Sequence, residues 1–145
     1  MKDKTDSMQG PLSYQFSIPD AELERIISRV AQFPWHEMPN DGGWDYGTNL
    51  DYMRKLCDYW VHNFDWRAQE KRINSFNHFK AQVNGIDMHY IREDGSGPNP
   101  MPLVISHGWP GSFLEFFGLI EPLAHPERFG GDIKDAFTVI VPSLP

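Results

Sequence analysis

The sequence contains a single cysteine, Cys57, and no apolar run long enough to cross a membrane. One cysteine excludes an internal disulfide, and a chain without disulfides is typical of a reducing compartment. Residues 1–16 also lack the apolar segment of a secretory signal peptide. These absences predict a cytoplasmic protein that has no membrane partner.

Basic residues are few as well, since 13 Lys and Arg stand against 20 Asp and Glu, for a formal net charge of −7. Nucleic-acid binding needs a surface rich in Lys and Arg, so the charge argues against a nucleic-acid partner. The sequence has no HExxH, P-loop or GxGxxG pattern, so we expect no metal and no cofactor. Aromatic residues make up 14% of the chain and predict broad aromatic packing surfaces.

Three parts follow from the pattern along the chain. Residues 1–15 are polar and show no periodicity, which predicts a loose tail. Residues 16–76 show the apolar spacing of amphipathic helices and predict a helical region. Residues 77–145 change to the alternation typical of strands and predict the order hairpin, strand, helix, strand. The fold class predicted from this order is α/β.

Capping patterns and apolar stripes predict the helices of the helical region. Ser17 with Asp20 resembles a capping box for the first helix, and Thr48 with Asp51 resembles one for the second. Asp65 is placed to cap a shorter third helix that runs to about residue 73. The stripes expected to form the buried faces are Leu23, Ile26, Ile27 and Val30 in the first helix, and Met53, Leu56, Cys57 and Trp60 in the second.

A β-hairpin is predicted around Asn84-Gly85, because both central positions of a type I′ turn require a positive φ. His78 and His89 lie on opposite arms of this hairpin and are expected to face one another. A surface pair is favoured over a metal site, because no third ligand is spaced to join them. Further on, the apolar runs LVIS and FTVIV predict two buried strands, the first of them buried on both faces.

The stretch SHGWPGS, residues 106–112, lies between the run LVIS and a predicted helix. A capping box of Ser112 and Glu115 predicts where that helix begins, and Pro122 predicts where it ends. In open α/β sheets, ligands bind in the crevice beyond the carboxyl ends of the strands. The position of SHGWPGS therefore makes it the candidate functional site.

The residue types in SHGWPGS suit a close approach of the backbone to a ligand. Gly108 and Gly111 leave room for such an approach, Pro110 fixes the turn, and the Trp109–Pro110 bond is a candidate for the cis form. Two interpretations fit these residues. The first is half of an oxyanion hole with the main-chain N–H of Trp109 as the donor, and the second is an ordinary strand-to-helix turn with a buried Trp.

SHGWPGS resembles the HGxP oxyanion motif of epoxide hydrolases of the α/β-hydrolase fold, in the HGWPGS form of the microsomal and juvenile-hormone branch. Four earlier segments resemble the epoxide hydrolase N-terminal domain of that branch, in the same order: IPDAEL, GGWDYGTNLDYMRKLCDYW, FDWRAQEKRIN and HFKAQVNGIDMHYIRE. VIVPSLP is similar to the next strand of the family. The resemblance covers the chain from Phe16 onward.

The resemblance implies a two-step conversion of an apolar epoxide to a vicinal diol. In the family, an Asp attacks an epoxide carbon and forms an alkyl-enzyme ester while Tyr hydroxyls of a cap domain assist the departing oxygen. A His, oriented by Asp or Glu, then activates water against the ester. Trp109 matches the oxyanion-hole donor of the family, and the motif around it is His107, Gly108, Pro110 and Gly111.

The nucleophile, the cap tyrosines and the catalytic histidine of the family all lie beyond the position of VPSLP. We therefore expect this chain to be the N-terminal part of the enzyme, inactive alone, with the C-terminal remainder as its partner, either joined to it or separate. Two alternatives stay open. One is a non-catalytic binding or interaction module derived from the fold, and the other is an α/β-hydrolase that acts on an ester.

Two short segments imitate the start of a nucleophile elbow without its context. Gly130-Gly131-Asp132 precedes a strand where an elbow follows one, and Asp94–Gly97 has no helix behind it, so both are expected to be surface loops. His107 is expected to hydrogen-bond to backbone at the strand end and is not assigned as a general base. His36, His62 and His125 have no partner that is evident in the sequence.

The topology of the family also predicts an exposed strand edge. In that topology, the strand that ends at Ser106 lies between the FTVIV strand and the strand that carries the nucleophile. An apolar strand of this kind with a free edge is a template for association with other chains. We therefore expect residues 1–145 alone to aggregate or to fold loosely.

Overall fold

The structure is a computed structural model that describes residues 10–37 and 43–145. Most of the expected tail, residues 1–9, and residues 38–42 lie outside the described part. The chain divides into two compact units. The sheet unit comprises the described residues up to Phe16 together with Lys71–Pro145, and the helical unit is Ser17–Glu70. In the described part of the chain, the helices are too short or too polar to cross a membrane.

The sheet unit confirms the α/β fold class. Its strands are β1 Leu12–Tyr14, β2 His78–Val83, β3 Ile86–Glu93, β4 Met101–Val104 and β5 Phe137–Pro142, in the spatial order β1-β2-β3-β5-β4. The pair β4 and β5 is parallel, and the other neighbouring strands are antiparallel. A 3₁₀ turn at Phe113–Phe116 and the helix α4 Phe117–Ala124 connect the two parallel strands.

Strand β1 corrects the prediction of a loose tail over residues 1–15, because residues 12–14 are paired with β2. In the register of this pair, Leu12 lies opposite Lys80 and Tyr14 lies opposite His78. A three-residue strand whose partner lies more than sixty residues away leaves no periodic signal in its own segment.

The predicted hairpin between β2 and β3 is confirmed, with φ of 51° at Asn84 and 81° at Gly85. The buried face of the hairpin is the one that carries His78, 2% exposed, and Ile91, fully buried. These two residues are register partners, so they share a face of the sheet.

The core of the sheet unit joins the central strands to α4. Its fully buried members are Ile91, Ile120, Ala124, Val139 and Val141. The prediction that Pro122 ends the helix is wrong, because α4 continues to Ala124. Pro122 forfeits one backbone hydrogen bond there, and the burial of the α4 residues on either side of it favours continuing the helix.

The helices of the helical unit are α1 Asp20–Ala31 and α2 Leu50–His62, and α3 Trp66–Ile73 begins in this unit. The cap of α3 is confirmed, since the Asp65 carboxylate accepts from the N–H of Ala68 at 3.0 Å.

The caps predicted for the first two helices are wrong. Pro19 stands at the start of α1, where its carbonyl accepts from the N–H groups of Glu22 and Leu23. Asn49, one residue beyond the expected Thr48, caps α2 by accepting from the N–H of Tyr52 at 3.0 Å. Neighbouring Thr and Asn are both good caps, so sequence alone does not decide between them.

The expectation that the LVIS strand is buried on both faces is wrong within residues 1–145. In β4, Met101 is 63% exposed and Val104 is 62% exposed. Within the described residues, β4 has a strand neighbour only on its β5 side. The predicted apolar edge is therefore present in the structure.

This edge leads to a prediction about residues 1–145 expressed alone. We expect them to self-associate in sedimentation velocity, because an unpaired apolar strand edge pairs with another chain. Val104→Lys should raise the monomeric fraction, because a lysine on an edge strand opposes pairing. Val83→Lys is the matched control, since Val83 is 42% exposed at the hairpin end of β2. A sharp, cooperative melt of a monomer in the unsubstituted chain would contradict the prediction.

Candidate active site

The segment of residues 106–112, called here the donor loop, begins where β4 ends. The N–H of Ile105 still donates to the carbonyl of Ile140 at 2.9 Å, so the parallel ladder extends one residue past the strand. The donor loop therefore leaves the sheet at its carboxyl edge, beside the end of β5. This is the edge at which open α/β sheets bind their ligands.

The donor loop turns tightly about Trp109 and Pro110, whose peptide bond is cis as the sequence suggested. The N–H of Gly111 donates to the carbonyl of Gly108 at 2.7 Å and closes the turn. A Cβ placed on Gly108 would meet no atom within 4 Å, so the backbone beside Trp109 borders open space.

The main-chain N–H of Trp109 has no hydrogen-bond acceptor among the described residues. Trp109 is 93% exposed within residues 1–145, so the buried Trp expected for an ordinary turn is not found there, although the loop is a strand-to-helix turn. A backbone donor that has no partner in its own fold is free to bind an oxygen from outside it. The main-chain N–H of Trp109 is therefore available to an acceptor outside the described residues.

A capping box fixes the far end of the donor loop, as predicted. The N–H of Ser112 donates to the Glu115 carboxylate at 3.0 Å, and the Ser112 hydroxyl accepts from the N–H of Leu114 at 3.3 Å. Gly111 is packed closely against this box, because an added Cβ would overlap the Glu115 carboxylate and lie 2.9 Å from the Gly108 carbonyl oxygen. Pairing of these groups within the fold removes freedom from the loop and leaves it preorganised.

His107 bonds to backbone, as the sequence analysis expected. Its Nδ1 lies 3.2 Å from the carbonyl oxygen of Gly108, and its Nε2 lies 3.5 Å from the backbone nitrogen of Leu144. A carbonyl only accepts and an amide N–H only donates, so the neutral ring carries its proton on Nδ1. His107 thus joins the donor loop to the segment that follows β5.

His78 and His89 face one another as predicted, with Nδ1 of His78 2.9 Å from Nε2 of His89. The expectation of a surface pair is wrong, because His78 is 2% exposed. Burial lowers the pKa of the His78 ring, and burial together with the neighbouring charges lowers the pKa of His89 to about 4. Within the described residues, no group of three metal-ligating side chains forms.

These lowered pKa values predict a loss of stability in acid. A histidine whose pKa is lower in the folded protein binds its proton first in the unfolded chain. The contribution of His89 to stability is therefore complete above pH 6.5 and is lost as the pH falls from 6.5 towards about 4. We expect the urea midpoint for unfolding of the protein to fall as the pH is lowered through this window. The midpoint should fall less steeply with pH in His89→Gln. The exposed-residue control His36→Gln should keep the steep dependence; an equal slope in all three proteins would contradict the account.

The two segments that imitate an elbow have structural roles. Asp132 caps a 3₁₀ turn by accepting from the N–H of Lys134 at 2.9 Å. The hydroxyl of Ser96 donates to the carboxylate of Glu127 at 2.8 Å. Neither segment presents a nucleophile at the carboxyl edge of the sheet, which agrees with the expectation of loops.

His125 has a partner that the sequence did not indicate. Its Nε2 lies 3.0 Å from the carboxylate of Glu93, and the ring is 8% exposed. Among the described residues, its Nδ1 has no hydrogen-bond partner. The two residues are 32 positions apart on a helix end and a strand end, so no local pattern signals the pair.

The helical unit contains an apolar cavity of about 800 Å³ between α1 and α2. None of the residues of α1 and α2 is buried, so the prediction that their stripes form buried faces is wrong. Several stripe residues instead line this cavity, where their side chains stay partly exposed. Its lining residues are Ile18, Glu22, Leu23, Ile26, Ile27, Leu56, Tyr59, Trp60, Phe64 and Trp66.

An ion-pair cluster ties the start of α1 to α3. The carboxylate of Glu70 accepts from the N–H of Ile18 at 2.8 Å, and the Arg67 guanidinium bonds to both Glu70 and Asp20. These bonds lower the pKa of Glu70 and raise that of Arg67. The cluster organises the helical unit and lies within Ser17–Glu70.

Comparison with known proteins gives consistent relatives. Residues 11–116 match the family described as "Epoxide hydrolase N terminus". The chain is 34% identical to a "Putative epoxide hydrolase" of Stigmatella aurantiaca, across 94% of the chain and 31% of that protein. It is 35% identical to "Epoxide hydrolase 1" of Oryctolagus cuniculus, across 91% of the chain and 30% of that protein.

Solved structures agree with these relatives. The epoxide hydrolase of Aspergillus niger superposes with a TM-score of 0.80 at 27% identity, over 95% of the chain and 36% of that structure. The juvenile hormone epoxide hydrolase of the silkworm Bombyx mori superposes with a TM-score of 0.83 at 26% identity, over 97% of the chain and 34% of that structure. The chain thus spans about 30% of the length of the curated relatives it matches.

Proposed function

Since the chain belongs to the epoxide hydrolase N-terminus family, we propose that it acts as the N-terminal portion of an enzyme that hydrolyses an apolar epoxide to a vicinal diol. The donor loop supplies one half of an oxyanion hole, through the main-chain N–H of Trp109. The proposal rests on one observation. The N–H of Trp109 lies at the carboxyl edge of the sheet and has no acceptor among the described residues.

The reaction takes place in two steps in this proposal. A carboxylate from the C-terminal remainder attacks an epoxide carbon, the C–O bond of the ring breaks, and a Tyr hydroxyl gives its proton to the departing oxygen. A histidine of the remainder then takes a proton from water, whose oxygen adds to the ester carbonyl. The carbonyl oxygen becomes an oxyanion, which returns to a carbonyl as the ester C–O bond breaks. The protonated histidine gives its proton to the departing alkoxide, which leaves as the diol, and the carboxylic acid that remains returns a proton to the Tyr phenolate.

The role of the donor loop lies in the second step. The N–H of Trp109 donates to the carbonyl oxygen of the alkyl-enzyme ester and stabilises the negative charge that collects on it. The capping box of Ser112 and Glu115 holds the loop before the reaction begins, so little reorganisation is needed when the charge forms. His107 carries its proton on Nδ1, bonded to backbone, and acts as part of the scaffold.

The remainder of the enzyme also gives the exposed β4 edge an occupant in this proposal. A parallel strand from the remainder would pair with the free side of β4 and cover Met101 and Val104. Buried parallel sheets have such neighbours on both sides of each inner strand. The partner of the chain is therefore the C-terminal portion, present as a continuation or as a separate chain.

Isotope transfer tests the proposed chemistry in the protein expressed from its whole reading frame, called here the whole protein. Styrene oxide is supplied in H₂¹⁸O for a single turnover. A covalent ester predicts that the first diol carries unlabelled oxygen from the enzyme, and that ¹⁸O enters the carboxylate. Direct attack by water, which puts ¹⁸O into the first diol, would contradict the mechanism.

Two comparisons separate the alternatives. Turnover of a p-nitrophenyl ester in preference to styrene oxide would favour the ester hydrolase, and turnover of neither would favour the binding module. Residues 1–145 alone are expected to turn over neither substrate, because they supply the donor loop without a nucleophile.

A further inference from the structure

The segment that follows β5 is held by His89 in two places. The N–H of Ser143 donates to the carbonyl of His89 at 2.9 Å, and the Ser143 hydroxyl lies 2.8 Å from Nδ1 of the same ring. The first bond continues the antiparallel pairing of β3 with β5. The second has no role in the sheet, so it calls for a separate explanation.

The hydroxyl belongs to a chain of hydrogen bonds that begins in the core. Nε2 of His78 lies 2.7 Å from the carbonyl oxygen of Ile73, which only accepts, so this nitrogen carries the proton. The Nδ1 of the neutral His78 ring must then accept from Nε2 of His89, at 2.9 Å. The Nδ1 of His89 is left as an acceptor, and the hydroxyl of Ser143 donates to it.

With both rings neutral, the chain therefore has one direction, from Ser143 through the two histidines to Ile73. Aromatic rings pack against the two imidazoles, with Phe16 5.2 Å from His78 and Phe113 5.0 Å from His89 between ring centroids. This apolar shell disfavours the charged forms of the rings. The charge of Lys80, whose Nζ lies over the ring of Tyr14 at 3.9 Å from its centroid, also lowers the pKa of His89.

The next residue carries the connection to the site. The N–H of Leu144 points to Nε2 of His107 at 3.5 Å, and Nδ1 of His107 bonds to the carbonyl of Gly108 at 3.2 Å. Gly108 immediately precedes Trp109. A continuous set of contacts thus runs from Ile73 in the core to the peptide that bears the proposed oxyanion donor.

We propose that His78, His89 and Ser143 are positioning residues for the donor loop: their hydrogen-bond chain fixes the segment after β5, and that segment holds His107 in the tautomer that orients the loop. The catalytic consequence rests on the proposed function. The tautomer of His107 is a structural consequence, and it does not rest on the proposed function.

The tautomer is a distinctive readout, because histidine in water favours the proton on Nε2, whereas the two backbone contacts of His107 favour Nδ1–H. Long-range ¹H–¹⁵N spectra of the whole protein labelled at histidine report which nitrogen carries the proton. Amide hydrogen exchange reports whether the N–H of Leu144 is held.

The test compares three variants with the unsubstituted protein. Ser143→Ala removes the hydroxyl, and we expect His107 to move towards the Nε2–H form, Leu144 to exchange about tenfold faster, and kcat for epoxide to fall about 10- to 100-fold with KM little changed. Ser143→Thr keeps a hydroxyl and should restore all three readouts. Ser96→Ala loses a serine hydrogen bond elsewhere in the sheet unit and should change none of them.

Each outcome decides a separate point. An unchanged His107 tautomer and unchanged Leu144 exchange in Ser143→Ala would overturn the inference, whatever the activity. The same changes in Ser96→Ala would also overturn it, because they would show general loosening. If the spectra change as expected but no protein hydrolyses an epoxide, the positioning chain stands and the proposed function fails.

Discussion

Replacing Gly111 by alanine should reduce epoxide turnover by the whole protein about 100-fold. An alanine Cβ at this position would overlap the carboxylate of Glu115 and lie 2.9 Å from the carbonyl oxygen of Gly108. The Glu115 side chain can move only by giving up its bond to the N–H of Ser112, and the Gly108 carbonyl belongs to the backbone of the turn. The donor loop must therefore shift, and a shift of about 1 Å costs on the order of 10² in rate.

The control for this variant is Gly118→Ala, the same chemical change within α4. A Cβ on Gly118 meets no atom within 4 Å, and alanine is favoured over glycine in helices by about 1 kcal/mol. Gly118→Ala should therefore keep the turnover and raise the urea midpoint slightly. Equal turnover in Gly111→Ala and the unsubstituted protein would contradict the assignment of a fixed donor loop.

Removing the N–H of Trp109 is expected to have the largest effect on the chemistry. Replacement of this residue by its α-hydroxy acid analogue exchanges the N–H for an oxygen and leaves the indole in place. Loss of one oxyanion donor costs about 2.7–4 kcal/mol, or about 100- to 1000-fold in kcat. Mass spectrometry of the enzyme during turnover should show the alkyl-enzyme ester accumulating, because only its hydrolysis is slowed.

Trp109→Ala is the matched variant, because it removes the ring and keeps the main-chain donor. Trp109 is 93% exposed within residues 1–145, so its ring does not contribute to the packing of the donor loop within them. We expect kcat to stay within about tenfold of the value for the unsubstituted protein. This is well above the kcat expected for the variant with the α-hydroxy acid analogue of Trp109. A larger loss in Trp109→Ala than in the analogue would assign the role to the indole and contradict the proposal.

Sequence reasoning succeeded where the controlling interactions are local. The hairpin follows from the positive φ that Asn84 and Gly85 tolerate, and the start of the 3₁₀ turn follows from the reciprocal bonds of Ser112 and Glu115. Each signal lies within four consecutive residues. The family motif located the donor loop for the same reason, since its residues are contiguous.

The predictions from sequence failed where a residue's structure depends on a partner that is distant in sequence. Strand β1 exists because residues 12–14 pair with a strand more than sixty positions away. His78 is buried because its face of the hairpin, and not the face of Phe79, packs on the core. Alternation shows that a strand has two faces and leaves open which of them is covered.

The candidate site also has one part that the sequence indicated and one part that it did not. The motif supplied Trp109 and the glycines, but the connection through Ser143 joins three segments that only the fold brings together. A serine and two histidines that are 11 and 54 positions apart form no recognisable spacing. Contacts of this kind follow from strand register, which sequence pattern alone did not supply.

The most direct test of the oxyanion donor is the rate constant for hydrolysis of the alkyl-enzyme ester, followed in a single turnover of the whole protein. We predict that the variant with the α-hydroxy acid analogue of Trp109 forms the alkyl-enzyme ester as fast as the unsubstituted protein does. It should hydrolyse that ester about 100- to 1000-fold more slowly. Equal hydrolysis rate constants with and without that N–H would contradict the central claim.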